Sequence, residues 1–167
     1  MNNSHLHLVV NHLPIIFPFV GIVLLLIGIF AKSEVSKRNA YIIFILGAVA
    51  SIAAMATGEG AEEGVEHLPG VAESLIKTHE EAAELFAGLS YVVGGLSLVA
   101  LFASFRSFTF SKIMPFLVGI FAVSSLFFAQ KAGTTGGEIR HTEIRNDAQT
   151  DNVGDNAAEN VGDEHDD

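Results

Sequence analysis

The sequence predicts an all-α integral membrane protein: a four-helix bundle with an acidic C-terminal tail. Three observations predict it. Half of the 167 residues are apolar, and the mean hydropathy is +0.44. The apolar residues gather into four runs, each able to cross a bilayer as a helix of about 20 residues. The formal charge of -10 is uneven, with Glu34 the only acid before Glu59 and a dense run of acids from about Asn146 onward. A soluble acidic chain would not also carry several long uncharged runs.

The first helix is expected over about 5–31. It opens on HLHLVVNHLP and runs into IIFPFVGIVLLLIGIF. It lacks a basic leader and a small-residue cleavage site and is too long for a signal peptide, so it is read as retained. Pro14 and Pro18 are expected to kink it, freeing the carbonyls of Val10 and Pro14. The second helix is expected over about 40–58, after the polar link AKSEVSKRN. A longer segment, GEGAEEGVEHLPGVAESLIK, reads as a surface loop with a short amphipathic helix after Pro69-Gly70.

The third helix, about 78–105, starts at a capping box with Thr78 as N-cap and Glu81 at N3, so His79 is read as its first helical residue. The fourth, about 112–141, follows RSFTFSK and continues through GGEIRH. The two short links imply antiparallel neighbours. Residues 1–145 form the bundle and 146–167 the tail, where NVGD recurs at 152–155 and 160–163 and the composition reads as solvated and disordered. Ala50, Ala54 and Gly58 on the second helix, and Ser125, Ala129, Gly133 and Gly137 on the fourth, read as close-packing stripes. At the outer end the cluster Gly133, Gly136 and Gly137 also offers room for a flat macrocycle.

Lys and Arg set the orientation. The short links carry Lys32, Lys37, Arg38, Arg106 and Lys112, while Lys77, Lys131, Arg140 and Arg145 are diluted among acids at the other end. The positive-inside rule puts the links in the cytoplasm and both termini outside, as expected of a multi-pass protein of a bacterial inner membrane.

Histidine is costly beside hydrocarbon without a partner. At about 1.5 Å per residue, His79 rises roughly 39 Å above Phe105, His141 roughly 42 Å above Ile113, and His5 and His7 roughly 35–38 Å above Phe30. These four are expected at one level near the outer boundary. His12 comes out deeper, roughly 27 Å above Phe30, level with Thr57, Glu59 and Glu84. Glu84 itself calls for a partner such as Lys131 or His12. His67 and His165 read as incidental.

Imidazoles converging from several helices on one end of an apolar bundle suit a b-type haem, with Arg140 and Lys131 placed to meet propionates and Gly137 giving space. The absence of cysteine excludes iron–sulfur clusters, thiolate copper and covalently attached haem. The rival is a non-haem transition metal held by the same histidines with Glu59 or Glu84. No HExxH motif appears. A third reading is a structural subunit whose histidines bind nothing.

The pattern resembles an uncharacterised family of small four-helix bacterial membrane proteins, known as a domain of unknown function. The resemblance rests on His7-x-x-x-x-His12-x-Pro14, Thr57-Gly58 closing the second helix, His79 opening the third, and Gly136-Gly137 followed by a basic residue and His141. It covers about residues 5–142. Where the family often has His-Pro and His-Phe-Pro, this chain has His7-Leu8 and His12-Leu13-Pro14. It implies a compact bundle associated with c-type cytochromes and suspected of binding haem.

These observations together predict a haem b subunit for electron transfer at the periplasmic face rather than a stand-alone enzyme. His79 and His141 are the first expected axial pair, and His12 and His7 the alternates. The expected partners are the lipid bilayer and, through the acidic tail, a c-type cytochrome or other respiratory complex subunits. No nucleic-acid partner is expected.

Overall fold

The computed structural model describes residues 3–62 and 71–141, with side chains from Leu6 onward except those of Glu59, Glu62 and Arg140. The acidic tail, His67, His165, Pro69-Gly70 and the side chain of His5 lie outside this description. The described elements are α1 (Asn3–Val10), α2 (Leu13–Phe30), α3 (Glu34–Glu62), α4 (Glu73–Phe105) and α5 (Met114–Arg140), with a 3₁₀ turn at Thr109–Lys112. Four segments are long and apolar enough to cross a membrane: Leu6–Phe30, Glu34–Gly58, Glu73–Phe105 and Met114–Ile139. The fold is an all-α four-helix bundle, the architecture of a multi-pass membrane protein. Helices α2, α3, α4 and α5 pack in a ring, each on the next, and α1 lies on α3.

The first span is broken rather than kinked. α1 ends at Val10, and Asn11 and His12 form a turn before α2 begins. Pro14 stands in the first turn of α2, where its missing N–H has no helical partner to lose. The His12 carbonyl accepts the N–H groups of Ile15 and Ile16 at 3.2 and 3.0 Å. Pro18 stays inside α2 and packs against Gly47, where a methyl group would come 3.3 Å from Pro18 Cδ.

Two further boundaries differ from expectation. α3 begins at Glu34, six residues before Ala40, because Ser33 caps it: Ser33 Oγ accepts the Ser36 N–H at 3.2 Å. Most of the polar link is therefore helix. α4 begins at Glu73 rather than 78. Thr78 does not cap it; its hydroxyl donates to the Ser74 carbonyl at 2.8 Å, as inside a helix. The amphipathic segment after Pro69-Gly70 is the opening of α4 itself. Burial of Ala72, Leu75 and Ile76 against Ile139 of α5 draws it into the helix.

α2 and α4 end alike. Lys32 and Ser107 both take φ of 53°. The Ser33 N–H bonds Gly28 O at 2.9 Å, and the Phe108 N–H bonds Ala103 O at 3.1 Å. Each is the long closing bond of a left-handed helix stop. Each stop turns the chain into an antiparallel hairpin, α1–α2–α3 and α4–α5.

Small residues pack the interior around a few large ones, Leu25, Tyr41, Phe44 and Val118. Ala40, Ala103, Ala122 and Ser97 are fully buried, while Phe30 and Phe127 are 81% and 70% exposed. That distribution suits lipid, where large apolar side chains gain little by hiding and close backbone approach binds helices. At Gly94 a methyl group would come 2.5 Å from Ala48 Cβ, so α3 and α4 touch through their backbones there. Two buried serines satisfy themselves locally, Ser51 on Gly47 O at 3.1 Å and Ser90 on Phe86 O at 2.9 Å, whereas the buried Ser97 Oγ has no partner among the described residues.

Candidate functional site

At the end of the bundle away from the short links, two histidines are held by matching sets of atoms. His7 of α1 places Nδ1 3.1 Å from Ala54 O and 3.1 Å from Thr57 Oγ1, both on α3. His79 of α4 places Nδ1 3.0 Å from Ala132 O and 3.3 Å from Thr135 Oγ1, both on α5. A carbonyl oxygen can only accept, so Nδ1 carries the proton in both rings. The Thr57 hydroxyl donates to its own helix, at Ala53 O (2.9 Å) and Ala54 O (3.1 Å). Thr135 does the same at Lys131 O (3.0 Å) and Ala132 O (3.2 Å). Each threonine oxygen is thus left to accept from imidazole. Both rings are fixed in one tautomer, with a lone pair on Nε2. Neither Nε2 has a hydrogen-bond partner among the described residues. The two rings lie close enough for the charge of one to act on the other.

Each threonine is followed by a glycine, and each glycine lies beneath its ring. A methyl group on Gly136 would come 2.9 Å from His79 Cε1, and one on Gly58 would come 3.7 Å from His7 Cε1. The His79 ring therefore occupies the space that the Gly133, Gly136 and Gly137 cluster was expected to offer a macrocycle beside Gly136.

The matching is written in the sequence. Ala54-x-x-Thr57-Gly58 and Ala132-x-x-Thr135-Gly136 are two copies of one motif. Lys32 lies 25 residues after His7 and 25 before Thr57; Ser107 lies 28 after His79 and 28 before Thr135. Residues equidistant from the turn of an antiparallel hairpin stand at one height. The small-residue reading of Ala54 and Gly58 missed this role, and Ala132 and Thr135 went unnoticed. The recurring motif was the available signal.

His7, and not His12, is therefore the ring level with Thr57. α3 starts six residues earlier than expected, which lifts Thr57 by about 9 Å. His12 is exposed at the start of α2. His79 is level with Thr135, about 9 Å of helix below His141, because the 3₁₀ turn already carries the chain upward before α5 begins. His141 is exposed just past α5, its N–H bonded to Gly137 O at 2.9 Å. Gly137 is half-buried in the last turns of α5, and Arg140 ends that helix.

Four other polar groups mark this end. Asn11 Oδ1 is buried without a partner among the described residues, one helical turn beyond His7. Glu138 is buried one turn beyond Thr135. Glu84 and Lys131 are exposed. Among the described residues, no three His, Asp or Glu side chains gather into a metal-binding group. No protein-family model, curated protein or solved structure matches the chain.

Proposed function

We propose that this protein is a haem b subunit of a bacterial inner membrane in which His7 and His79 would hold the haem iron, passing single electrons at the outer face within a larger redox assembly. The observation that carries this reading is the pair of imidazoles from separate hairpins, each with Nδ1–H tied to a carbonyl and Nε2 left open. Ligating histidines are oriented in this way, and the donated proton makes the ring a stronger ligand. Two imidazoles complete the coordination of a haem iron. A non-haem ion would need a third protein ligand beside these rings; none gathers with them among the described residues, and the side chain of Glu59 lies outside that description.

A bound haem supplies the reversible one-electron step. The chain supplies the rest. Thr57 and Thr135 hold the ring planes, and Gly136 lets His79 stand against α5. Phe86 and Phe128 provide an apolar wall around the buried Ala129 and Ala132. Asn11 offers an unsatisfied amide oxygen near His7. Arg140 and Lys131 are two cations of this end that suit propionates. The acids of the tail suit a basic partner such as a c-type cytochrome.

The test is a reduced-minus-oxidised spectrum of the purified full chain. Soret and alpha bands are expected, at one haem per chain. His7→Ala or His79→Ala should abolish them, while His12→Ala and His141→Ala should leave them in place. A chain with no such bands in either redox state would refute the reading. Zinc, copper or iron found without porphyrin would select a non-haem site.

A further inference from the structure

The opposite end of the bundle holds a cavity of about 400 Å³ between the start of α3, the end of α4 and the 3₁₀ turn. Its chemistry is cationic. Lys37, Arg38 and Lys112 line it with one carboxylate, Glu34. Lys37 Nζ lies 2.7 Å from Glu34 Oε1, the single ion pair among the described residues. That pair cancels, so Arg38 and Lys112 remain uncompensated by any described carboxylate.

Arg38 is held in advance. Its Nε donates to Ser104 Oγ at 2.8 Å and one terminal nitrogen donates to Ser104 O at 3.0 Å. The guanidinium lies 4.3 Å from the centre of the Phe105 ring. Two of its N–H groups are used; three of the five that a guanidinium carries stay available. A fixed guanidinium fork matches the oxygens of a carboxylate or phosphate. The wall also presents the hydroxyl-bearing residues Ser107, Thr109 and Ser111. A compact anion with several acceptor oxygens fits this set, and phosphate is that anion.

Position favours a lipid as its source. Phe102, Phe105, Phe108 and Phe110 are exposed around the same end. Apolar rings beside fixed cations mark the level where hydrocarbon meets headgroups, and basic pockets between membrane helices at that level take phospholipid headgroups. We propose that this cavity recognises the phosphate of an anionic phospholipid, with Arg38 and Lys112 as its cationic contacts.

The test uses the full chain in detergent, titrated with phosphatidylglycerol, phosphatidylcholine or inorganic phosphate and read by native mass spectrometry. Wild type should retain phosphatidylglycerol over phosphatidylcholine. Each lost charge should weaken that preference about fivefold, so Arg38→Gln gives about fivefold and Lys112→Glu about twenty-five-fold. Lys112 is exposed, so its variant tests the cavity even if Arg38→Gln loosens the fold. Binding of inorganic phosphate with the same variant sensitivity would keep the phosphate site and replace the lipid by a soluble source. Equal retention of the two lipids without phosphate binding, or a preference unmoved by Lys112→Glu, would overturn the proposal.

Discussion

Gly136 controls how closely His79 can stand to α5. Its missing methyl leaves the space that the ring fills, since a Cβ there would sit 2.9 Å from Cε1 and 3.1 Å from Nδ1. Neither atom can give way without moving Nδ1 off the Ala132 carbonyl. Gly136→Ala should therefore displace the ring, at a cost on the order of 1–3 kcal/mol, and strip most of the absorbance that the proposed haem would give the purified protein. Gly133 is the matched control, three residues earlier on the same helix. A methyl group there would meet only Ile15 Cδ1 at 4.0 Å, an ordinary contact, so Gly133→Ala should leave the spectrum unchanged. If both variants behave alike, the His79 ring is not the group at stake.

At the scale of elements, two helix stops in left-handed conformation set the geometry of both hairpins. Neither is glycine. Lys32 and Ser107 adopt φ of 53°, which costs a side-chain-bearing residue roughly 1–2 kcal/mol relative to a right-handed conformation. Lys32→Gly should relieve that strain and raise stability by about 0.5–1 kcal/mol after the entropy of the freer unfolded chain is deducted. Ala31→Gly, one residue earlier at φ of -80°, should lower it by about the same amount. Thermal unfolding in detergent separates the two. The break after α1 was half legible. Pro14 announces that the helix cannot run through intact, but whether it bends the helix or restarts it depends on α1 finding α3 to lie on. The start of α3 was more legible than the reading made of it, since Ser33-Glu34 is a cap followed by an acid in the first turn. Thr78 shows the reverse case. A capping sequence can be overridden when residues ahead of it, here Leu75 and Ile76, bury apolar surface as helix.

Across the whole molecule, each hairpin carries the same device, its histidine and threonine equidistant from that hairpin's own turn, and the ring of helices sets the two copies near one another. The orientation in the membrane rests on the cations of the short links. The chain contains no cysteine, so single introduced thiols report it cleanly. Glu73→Cys, exposed at the start of α4, should react with a membrane-impermeant maleimide in intact cells whose outer membrane has been opened. Ser107→Cys, exposed in the link between α4 and α5, should react only after the inner membrane is broken. The opposite pattern would put the histidine end in the cytoplasm and remove an outer-face redox partner from the proposed function.

The sequence alone determined the helical class, the count of spans and the antiparallel order, because lipid admits few ways to satisfy a backbone and demands long apolar runs. It also placed histidines at one end of the bundle, because height along a helix follows from counting residues. Only the tertiary structure decided which histidines stand level with which acceptors. That choice turned on six residues at the start of α3 and on the 3₁₀ turn before α5, small local differences that shift everything beyond them by whole helical turns. It also decided the tautomer of His7 and His79, which depends on which oxygen atoms the neighbouring helices bring within 3.3 Å.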